Sequence, residues 1–237
     1  MPRALSAALA ALALLAAGCV TTVANVDLPT NLITVTGTGR VEATPDTALL
    51  TLGVESRAAT LADAAADAAR RMSAVLTRVK AMGIADRDIA TVFYNVEPRM
   101  APMDPAHRDE PPRIVGYQVS NIARVTVRDP AQAGPVLDAA VAAGANAVRG
   151  IQFTLADTAK AQADARARAV ADAIAKAREL AAAAALKLGD VVAIRELGVS
   201  SPIPMPRAAL LRMDATPIES GQLEVVVTVE LRQAIQR

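Results

Sequence analysis

The chain has 237 residues, of which 53% are hydrophobic and 21% charged, so it is able to form a large core. A single Cys and a single His exclude an intrachain disulfide framework, multi-Cys zinc sites and sites built from two imidazoles. With 25 basic and 24 acidic residues and only 2% aromatic residues, neither charge nor base stacking favours nucleic-acid binding. We therefore expect no nucleic-acid partner, metal or cofactor, and a binding or assembly protein rather than an enzyme.

The N-terminus is typical of an export signal. Arg3 is followed by an uncharged, mostly apolar run, residues 4–17, which is too short to cross a bilayer comfortably. The run leads into LAAGC, which resembles a bacterial lipobox. At a lipobox, a cysteine is acylated and the chain is cut just before it. Here the leucine stands four residues before the cysteine rather than the commoner three. We predict a lipoprotein signal peptide over residues 1–18 and lipidation of Cys19. An ordinary signal peptide that ends near a cysteine is the alternative.

The residues after the cysteine indicate where the protein is held. Val20 follows Cys19, so the Asp that retains some bacterial lipoproteins in the inner membrane is missing. The chain is therefore predicted to be periplasmic and anchored in the outer membrane. Residues 19–31 are a polar tether, and 32–237 form one domain because no later segment resembles a linker.

The first two predicted strands cover residues 32–41 and 47–56, where apolar and polar residues alternate. Gly37 and Gly39 lie in the first of them, but Glu42 occupies the place of a third glycine and no helix follows. The pair therefore fails as a dinucleotide-binding fingerprint, and we predict a β-bulge or a sharp twist there instead.

A helix is predicted from Thr60 to Met82, with a capping box formed by Thr60 and Asp63 and with Gly83 at its end. Strands at 89–100 and 113–128 then form a long hairpin. Its tip, residues 101–112, holds His107, which we expect to be solvated. The predicted buried face of the helix comprises Leu61, Ala65, Ala68, Met72, Val75, Val79 and Met82.

The second half of the chain contains two more helices and three more strands. A helix capped by Asp129 ends at Gly144, and a strand covers 148–155. A long Ala-rich helix follows from Asp157 to about Leu188, and its small side chains would allow close packing on a sheet or another helix. The last strands are predicted at 191–199 and 222–232. The buried face of the long helix is predicted to be Val170, Ile174, Ala177, Ala181, Ala184 and Leu188.

The segment Ser201–Pro217 contains four prolines and is predicted to be irregular. It carries more apolar side chains than an exposed loop needs, so we predict that it packs on its own sheet or contacts another subunit. The predicted contact residues are Met205, Leu210, Leu211 and Met213.

The predicted element order is ββαββαβαββ. Strands dominate and helices do not simply alternate with them, so the fold class is α+β, with a largely antiparallel sheet, helices packed on one face and a long β-hairpin.

Several short segments occur in a fixed order along the chain: GTGRV at 37–41, Pro45-Asp46, GI at 83–84, DIAT at 88–91, GYQVSN at 116–121, GAN at 144–146, IQF at 151–153, ARAVADA at 167–173, LG at 188–189, and TPI at 216–218 with Gly221. In this order they resemble the SIMPL-domain family of the bacterial cell envelope, a group that includes a periplasmic immunogenic antigen. The resemblance covers about residues 31–235. It implies an exported α+β protein with no established catalytic residues, a loose link to envelope stress, and ring-like homo-oligomers in some members.

The leading functional hypothesis is a non-enzymatic envelope lipoprotein that acts through self-assembly, as a homo-oligomer, or through an unidentified envelope partner. The candidate contact surfaces are residues 101–112, 201–217 and the helix at 157–188. One alternative is a binder of small envelope ligands such as lipids. The other is a hydrolase using Asp46, Asp88 and Glu97, although no nucleophile-elbow or paired-carboxylate pattern stands out. We interpret Gly37, Gly39, Pro45, Asp46 and Asn121 as turn residues that specify the fold rather than a site.

Overall fold

The computed structural model describes residues 31–102, 111–205 and 219–236. The α-helices are α1 (Leu61–Ala81), α2 (Ala133–Ala142) and α3 (Ala159–Ala183), and short 3-10 turns lie at Asp86–Asp88 and Pro130–Gln132. The strands are β1 (Leu32–Ala43), β2 (Thr47–Ala58), β3 (Ile89–Met100), β4 (Ile114–Val127), β5 (Ala147–Thr154), β6 (Lys187–Val199), β7 (Ile203–Met205) and β8 (Gln222–Gln236).

The strands form two antiparallel sheets. The first has the order β1-β8-β6, with β7 also paired to β8, and the second has the order β3-β4-β2-β5. The α+β class, the element order and the long β3–β4 hairpin are confirmed. The strands divide between two sheets because β1 pairs with β8 at the far end of the chain, while β2 pairs with β4 and β5.

Helix α1 packs on the second sheet through large side chains. Thr60 caps it, since the Asp63 N–H donates to Thr60 Oγ1 at 3.2 Å. The predicted helix is confirmed, but Leu61 is 43% exposed and the buried face begins three positions later, at Ala64. The core here combines Met72, Val75 and Val79 with Leu50, Leu52, Val54, Val125, Val127 and Val136 of the sheet and α2.

The fully buried side chains by which helix α3 packs on the first sheet are all alanines. One Ala in every fourth position is buried, and the predicted Val170 and Ile174 are only partly buried beside them. The opposing residues are β-branched or leucine side chains of β1 and β8. The buried alanines are Ala165, Ala169, Ala173, Ala177 and Ala181.

The prediction that this helix continues to Leu188 is wrong, because the chain turns at Ala185. Ala185 has a φ of 56°, in the left-handed region. Its N–H donates to the Ala182 carbonyl at 3.1 Å, and the Leu186 N–H donates to the Ala181 carbonyl at 2.9 Å. This is the hydrogen-bond pattern that closes a helix C-terminus, normally with glycine in that position.

The predicted bulge at Gly37 and Gly39 is also wrong. Strand β1 pairs with β8 over twelve consecutive positions without a register shift. A Cβ on Gly37 would lie 2.6 Å from the Ala173 nitrogen, and one on Gly39 would lie 2.5 Å from the Ala169 nitrogen. The glycines are therefore required because the backbone of α3 lies directly against them.

Part of the segment predicted to be irregular, residues 201–217, forms β7. Its three residues pair with the start of β8, with Pro204 opposite Leu223. A proline is compatible with a short strand that has a partner on one side only, because its missing N–H lies on the unpaired edge.

Candidate interaction surface

The carboxylates considered for a catalytic cleft each have a separate structural role. Asp46 Oδ1 accepts hydrogen bonds from the Ala156 N–H at 2.7 Å and the Thr47 hydroxyl at 2.9 Å, and so connects two loops. Asp46 and Pro45 lie in the link between β1 and β2, as predicted for turn residues.

The other two carboxylates also have partners of their own. Asp88 Oδ1 lies 2.6 Å from Nη2 of Arg128, and this hydrogen-bonded pair holds the pKa of Asp88 below its usual value. Glu97 accepts a hydrogen bond of 2.6 Å from the amide of Asn95 on the same strand. The three carboxylates thus have separate partners and are not gathered into one site.

Within the described ranges, no group of three or more His, Cys, Asp or Glu side chains lies close enough to hold a metal ion. Over the same residues, no helix has both the length and the apolarity needed to span a membrane. His107 and Cys19 lie outside the described residues, so lipidation at Cys19 stays a prediction.

The outer edge of the first sheet is apolar and open on both faces. Strand β6 is the last strand of the order β1-β8-β6, and its residues 190–198 are all exposed. Buried strands usually alternate, so exposure on both faces means that no helix or second sheet of the described residues buries this part of the strand, although Arg166 of α3 contacts Glu196 at 2.7 Å. Its apolar side chains, each about half exposed, are Val191, Val192, Ile194 and Leu197.

Strand β3 forms the corresponding open edge of the second sheet. It lies beyond β4 in the order β3-β4-β2-β5, and ten of its twelve residues are exposed. Phe93 lies under the guanidinium of Arg149, with 4.8 Å from the charged carbon to the ring centroid. The exposed apolar side chains of this hairpin are Val92, Phe93, Tyr94, Val96, Met100, Ile114 and Val115.

A shallow groove of about 370 Å³ runs beside α1. Asn121 lies in it, in the middle of β4 between Val54 and Tyr94, so its predicted role as a turn residue is wrong. The Oδ1 atom of Asn121 is buried and has no hydrogen-bond partner among the described residues. The groove is lined by Ala69, Met72, Ser73, Leu76, Thr77, Lys80 and Asn121.

Strand β5 ends the second sheet on the other side and has its own irregularities. The Asn146 side chain replaces a strand backbone there: its Oδ1 accepts from the Glu55 N–H at 2.7 Å and its Nδ2 donates to the Glu55 carbonyl at 2.8 Å. The register shifts within β5, and Gly150 has a φ of 149°. This edge has eight residues and is shorter than β3 and β6, although register shifts also occur where β3 pairs with β4 and where β6 pairs with β8.

The contact surface predicted between residues 201 and 217 is described only at its start. The backbone of Met205 pairs with Gln222 in β7 and β8. Leu210, Leu211 and Met213 lie outside the described residues, so this surface stays a prediction.

The described fold is thus an α+β protein of two antiparallel sheets, each with helices on one face and one long apolar edge strand without a partner. The SIMPL family model, described as "Protein of unknown function (DUF541)", matches residues 33–232. The chain belongs to the SIMPL family.

Curated relatives cover most of the chain. It is 35% identical over 207 residues to the "26 kDa periplasmic immunogenic protein" of Brucella melitensis biotype 1, which is 84% of this chain and 82% of that protein. It is 30% identical over 190 residues to the "Uncharacterized protein YggE" of Escherichia coli K12, covering 80% of this chain and 75% of the relative. It is 29% identical over 198 residues to the protein of the same name from Edwardsiella ictaluri, covering 84% of this chain and 80% of the relative.

Proposed function

We propose that this protein is a non-enzymatic lipoprotein of the cell envelope that resides in the periplasm, is anchored in the outer membrane through Cys19, and acts by self-association. The relative named as a periplasmic protein supports the compartment. The observation that carries self-association is β6, where nine consecutive exposed residues include four large apolar side chains along an edge without a partner strand in the described chain.

An open apolar edge strand is unfavourable for a monomer in water. Its unpaired N–H and C=O groups accept another strand, and its apolar side chains gain free energy when they leave water. Monomeric proteins normally shorten, charge or cover such edges. Here β3 and β6 each have at least twelve residues, and each keeps several large apolar side chains exposed. A second copy of the chain is the natural partner, because it is present wherever the protein is made.

The oligomeric state of residues 20–237 tests this proposal, measured by size-exclusion chromatography with light scattering. We expect a defined oligomer at micromolar concentration, and Ile194→Lys on β6 should shift it toward monomer because a charge enters the interface. Leu180→Lys is the matched control, since Leu180 is 53% exposed on α3 and lies away from the sheet edges. A strict monomer in the unchanged chain would overturn the proposal.

Lipidation is tested separately in the host. Labelled palmitate should enter the full-length protein and should be absent from Cys19→Ala. Label retained in that variant, or absent from the unchanged protein, would refute the anchor and favour an ordinary signal peptide. Membrane fractionation of the labelled protein then tests the outer-membrane location.

A small envelope ligand is the second candidate, supported by the groove beside α1 and by the unpartnered Asn121 Oδ1. Native mass spectrometry of protein purified from its own host should then reveal a bound molecule that Asn121→Ala loses. A mass equal to that of the processed, acylated chain alone would exclude this candidate. A role in envelope stress has the family resemblance as its support, and a deletion strain exposed to oxidants tests it.

A further inference from the structure

The free edge of β1, on the side away from β8, is occupied by charged side chains of α3. Asp172 Oδ2 accepts a hydrogen bond from the Thr38 backbone N–H at 2.8 Å. Lys176 Nζ donates to the Thr36 carbonyl at 3.1 Å and to Asp172 Oδ2 at 2.7 Å. Both backbone groups belong to residues on the edge of the first sheet, where an incoming strand would otherwise bind them.

Arg168 extends the same arrangement by one step, because its Nη1 donates to the Arg40 carbonyl at 2.6 Å. A carbonyl, an N–H and a carbonyl on alternate residues of β1 therefore meet a donor, an acceptor and a donor on α3. The charged residues are four apart on the helix, a rise of about 6.0 Å. The backbone groups are two apart on the strand, a rise of about 6.7 Å. The two repeats match well enough for three successive contacts.

The glycines of β1 make this geometry possible. Gly37 and Gly39 alternate with the bonded residues, and they face α3 so closely that any Cβ would clash with its backbone. With larger residues there, the helix would lie farther from the sheet and its side chains would not reach around the strand. The glycine pair, the alanine ridge and the three charged residues thus form one structural unit.

We propose that Arg168, Asp172 and Lys176 form a cap that closes the β1 edge against a strand of a second copy and so restricts self-association to the other strand edges. The inference rests on the proposed function. In the first sheet, the two outer strands then have opposite properties. Three hydrogen-bonding groups in the middle of the β1 edge are satisfied by α3, whereas β6 presents several exposed apolar side chains. Selective closure of edges is how sheet proteins avoid uncontrolled polymerisation.

The double variant Asp172→Ala/Lys176→Ala removes two of the three contacts without changing the net charge. We expect it to remain folded by circular dichroism and to form larger, concentration-dependent assemblies, with a weight-average mass at least about twofold above that of the unchanged protein. The matched control is Arg178→Ala/Glu179→Ala, which removes one charge of each sign from exposed positions of α3. It should keep the original mass.

Thr38→Pro in the double variant separates edge pairing from general destabilisation. Proline removes the N–H that an incoming strand would bind, while this N–H faces α3 rather than β8. The extra association should therefore disappear. An unchanged mass in the double variant, or extra association that persists after Thr38→Pro, would overturn the cap. If the unchanged protein is a monomer, the proposed function fails, but association gained only on uncapping still supports the cap.

Discussion

The two main helix–sheet contacts of this protein have opposite designs. Helix α1 meets its sheet through Met72, Val75 and Val79, which interlock with leucines and valines of β2 and β4. Helix α3 meets its sheet through five alanines, and Gly37 and Gly39 lie opposite them. The first contact is filled by side chains, and the second is a close approach of two backbones.

This difference determines which kind of substitution destabilises each contact. Where large side chains fill the space, shortening one leaves a cavity, and the loss grows with the volume removed. Where two backbones are in contact, there is no large side chain to truncate, and the damaging change is instead a methyl group added at the contact. The close contact also carries the edge cap, because only a nearby helix can reach the β1 backbone.

The largest effect is expected for Gly39→Ala, because its Cβ would lie 2.5 Å from the Ala169 nitrogen, a backbone atom that cannot move independently. We expect the free energy of unfolding to fall by about 3 kcal/mol in urea titrations at one fixed protein concentration. Gly198→Ala on β6 is the control, since no atom lies within 4 Å of the added methyl group. It should change stability by less than about 0.5 kcal/mol. Equal stability of the two variants would contradict a close backbone contact.

Met72→Ala tests the other contact. Met72 is buried in the core under α1, so the truncation should lower the free energy of unfolding by about 2 kcal/mol. Leu180→Ala removes a similar volume from the exposed side of α3 and should cost no more than about 0.5 kcal/mol. If both truncations have the same effect, the side-chain filling of the α1 contact is not what stabilises it.

A smaller, stabilising effect is expected at the end of α3. Ala185 adopts a left-handed conformation that is unfavourable for residues with a Cβ by about 1 kcal/mol or more. Ala185→Gly should therefore raise the free energy of unfolding by about 1 kcal/mol. Ala183→Gly, two residues earlier and still helical, should lower it by about 0.5–1 kcal/mol. Calorimetric midpoints that shift in the same direction would contradict this difference.

The smallest effect concerns the charge of Asp172. The hydrogen bond from Lys176 and then that from the Thr38 N–H hold the pKa of Asp172 below its ordinary value of 3.8. A carboxylate with a lowered pKa contributes stability above its unfolded value and loses it as the pH falls through the folded value. The Thr38 amide resonance should therefore titrate with a midpoint below 3.8. Asp172→Asn should abolish that titration; a midpoint above 3.8 would show that the contacts do not favour the charged form.

Much of the fold could be predicted from local patterns. The predicted strand at 89–100 has the observed bounds of β3, and the capping residue Thr60 begins α1 as expected. The sequence also predicted that the Ala-rich helix packs closely, and the structure shows the sheet as its partner. These successes depend on residues that are close together in the chain.

The failures occur where distant residues decide the outcome. Val170 and Ile174 were predicted to lie on the buried face because their spacing follows one side of the helix. In the structure they flank the contact, because only alanine fits opposite glycine. The sequence did not show where the helix ends either, because the alanine run at 181–185 includes the turn residue Ala185 and contains no glycine.

The candidate interaction surface, too, could be predicted only in part from the sequence. The proline-rich segment at 201–217 was predicted to be a contact surface from its apolar composition, and most of it lies outside the described residues. The open edges β3 and β6 could not be predicted, because an apolar strand has the same sequence pattern whether a neighbour covers it or not. The sequence predicted a bulge or a sharp twist at Gly37 and Gly39, but the reason for these glycines lay more than a hundred residues away, on α3.

By itself, the sequence determined the α+β class, the order of the strands and helices, the family and the candidate lipidation site, because periodicity, caps and short motifs act over a few neighbouring residues. Only the tertiary structure decided which strands share a sheet, why two glycines are needed in β1, and which sheet edges are capped or open. Those properties depend on the packing of segments far apart in the chain, where backbone distance and exposure, rather than residue type, determine which groups can bind a partner.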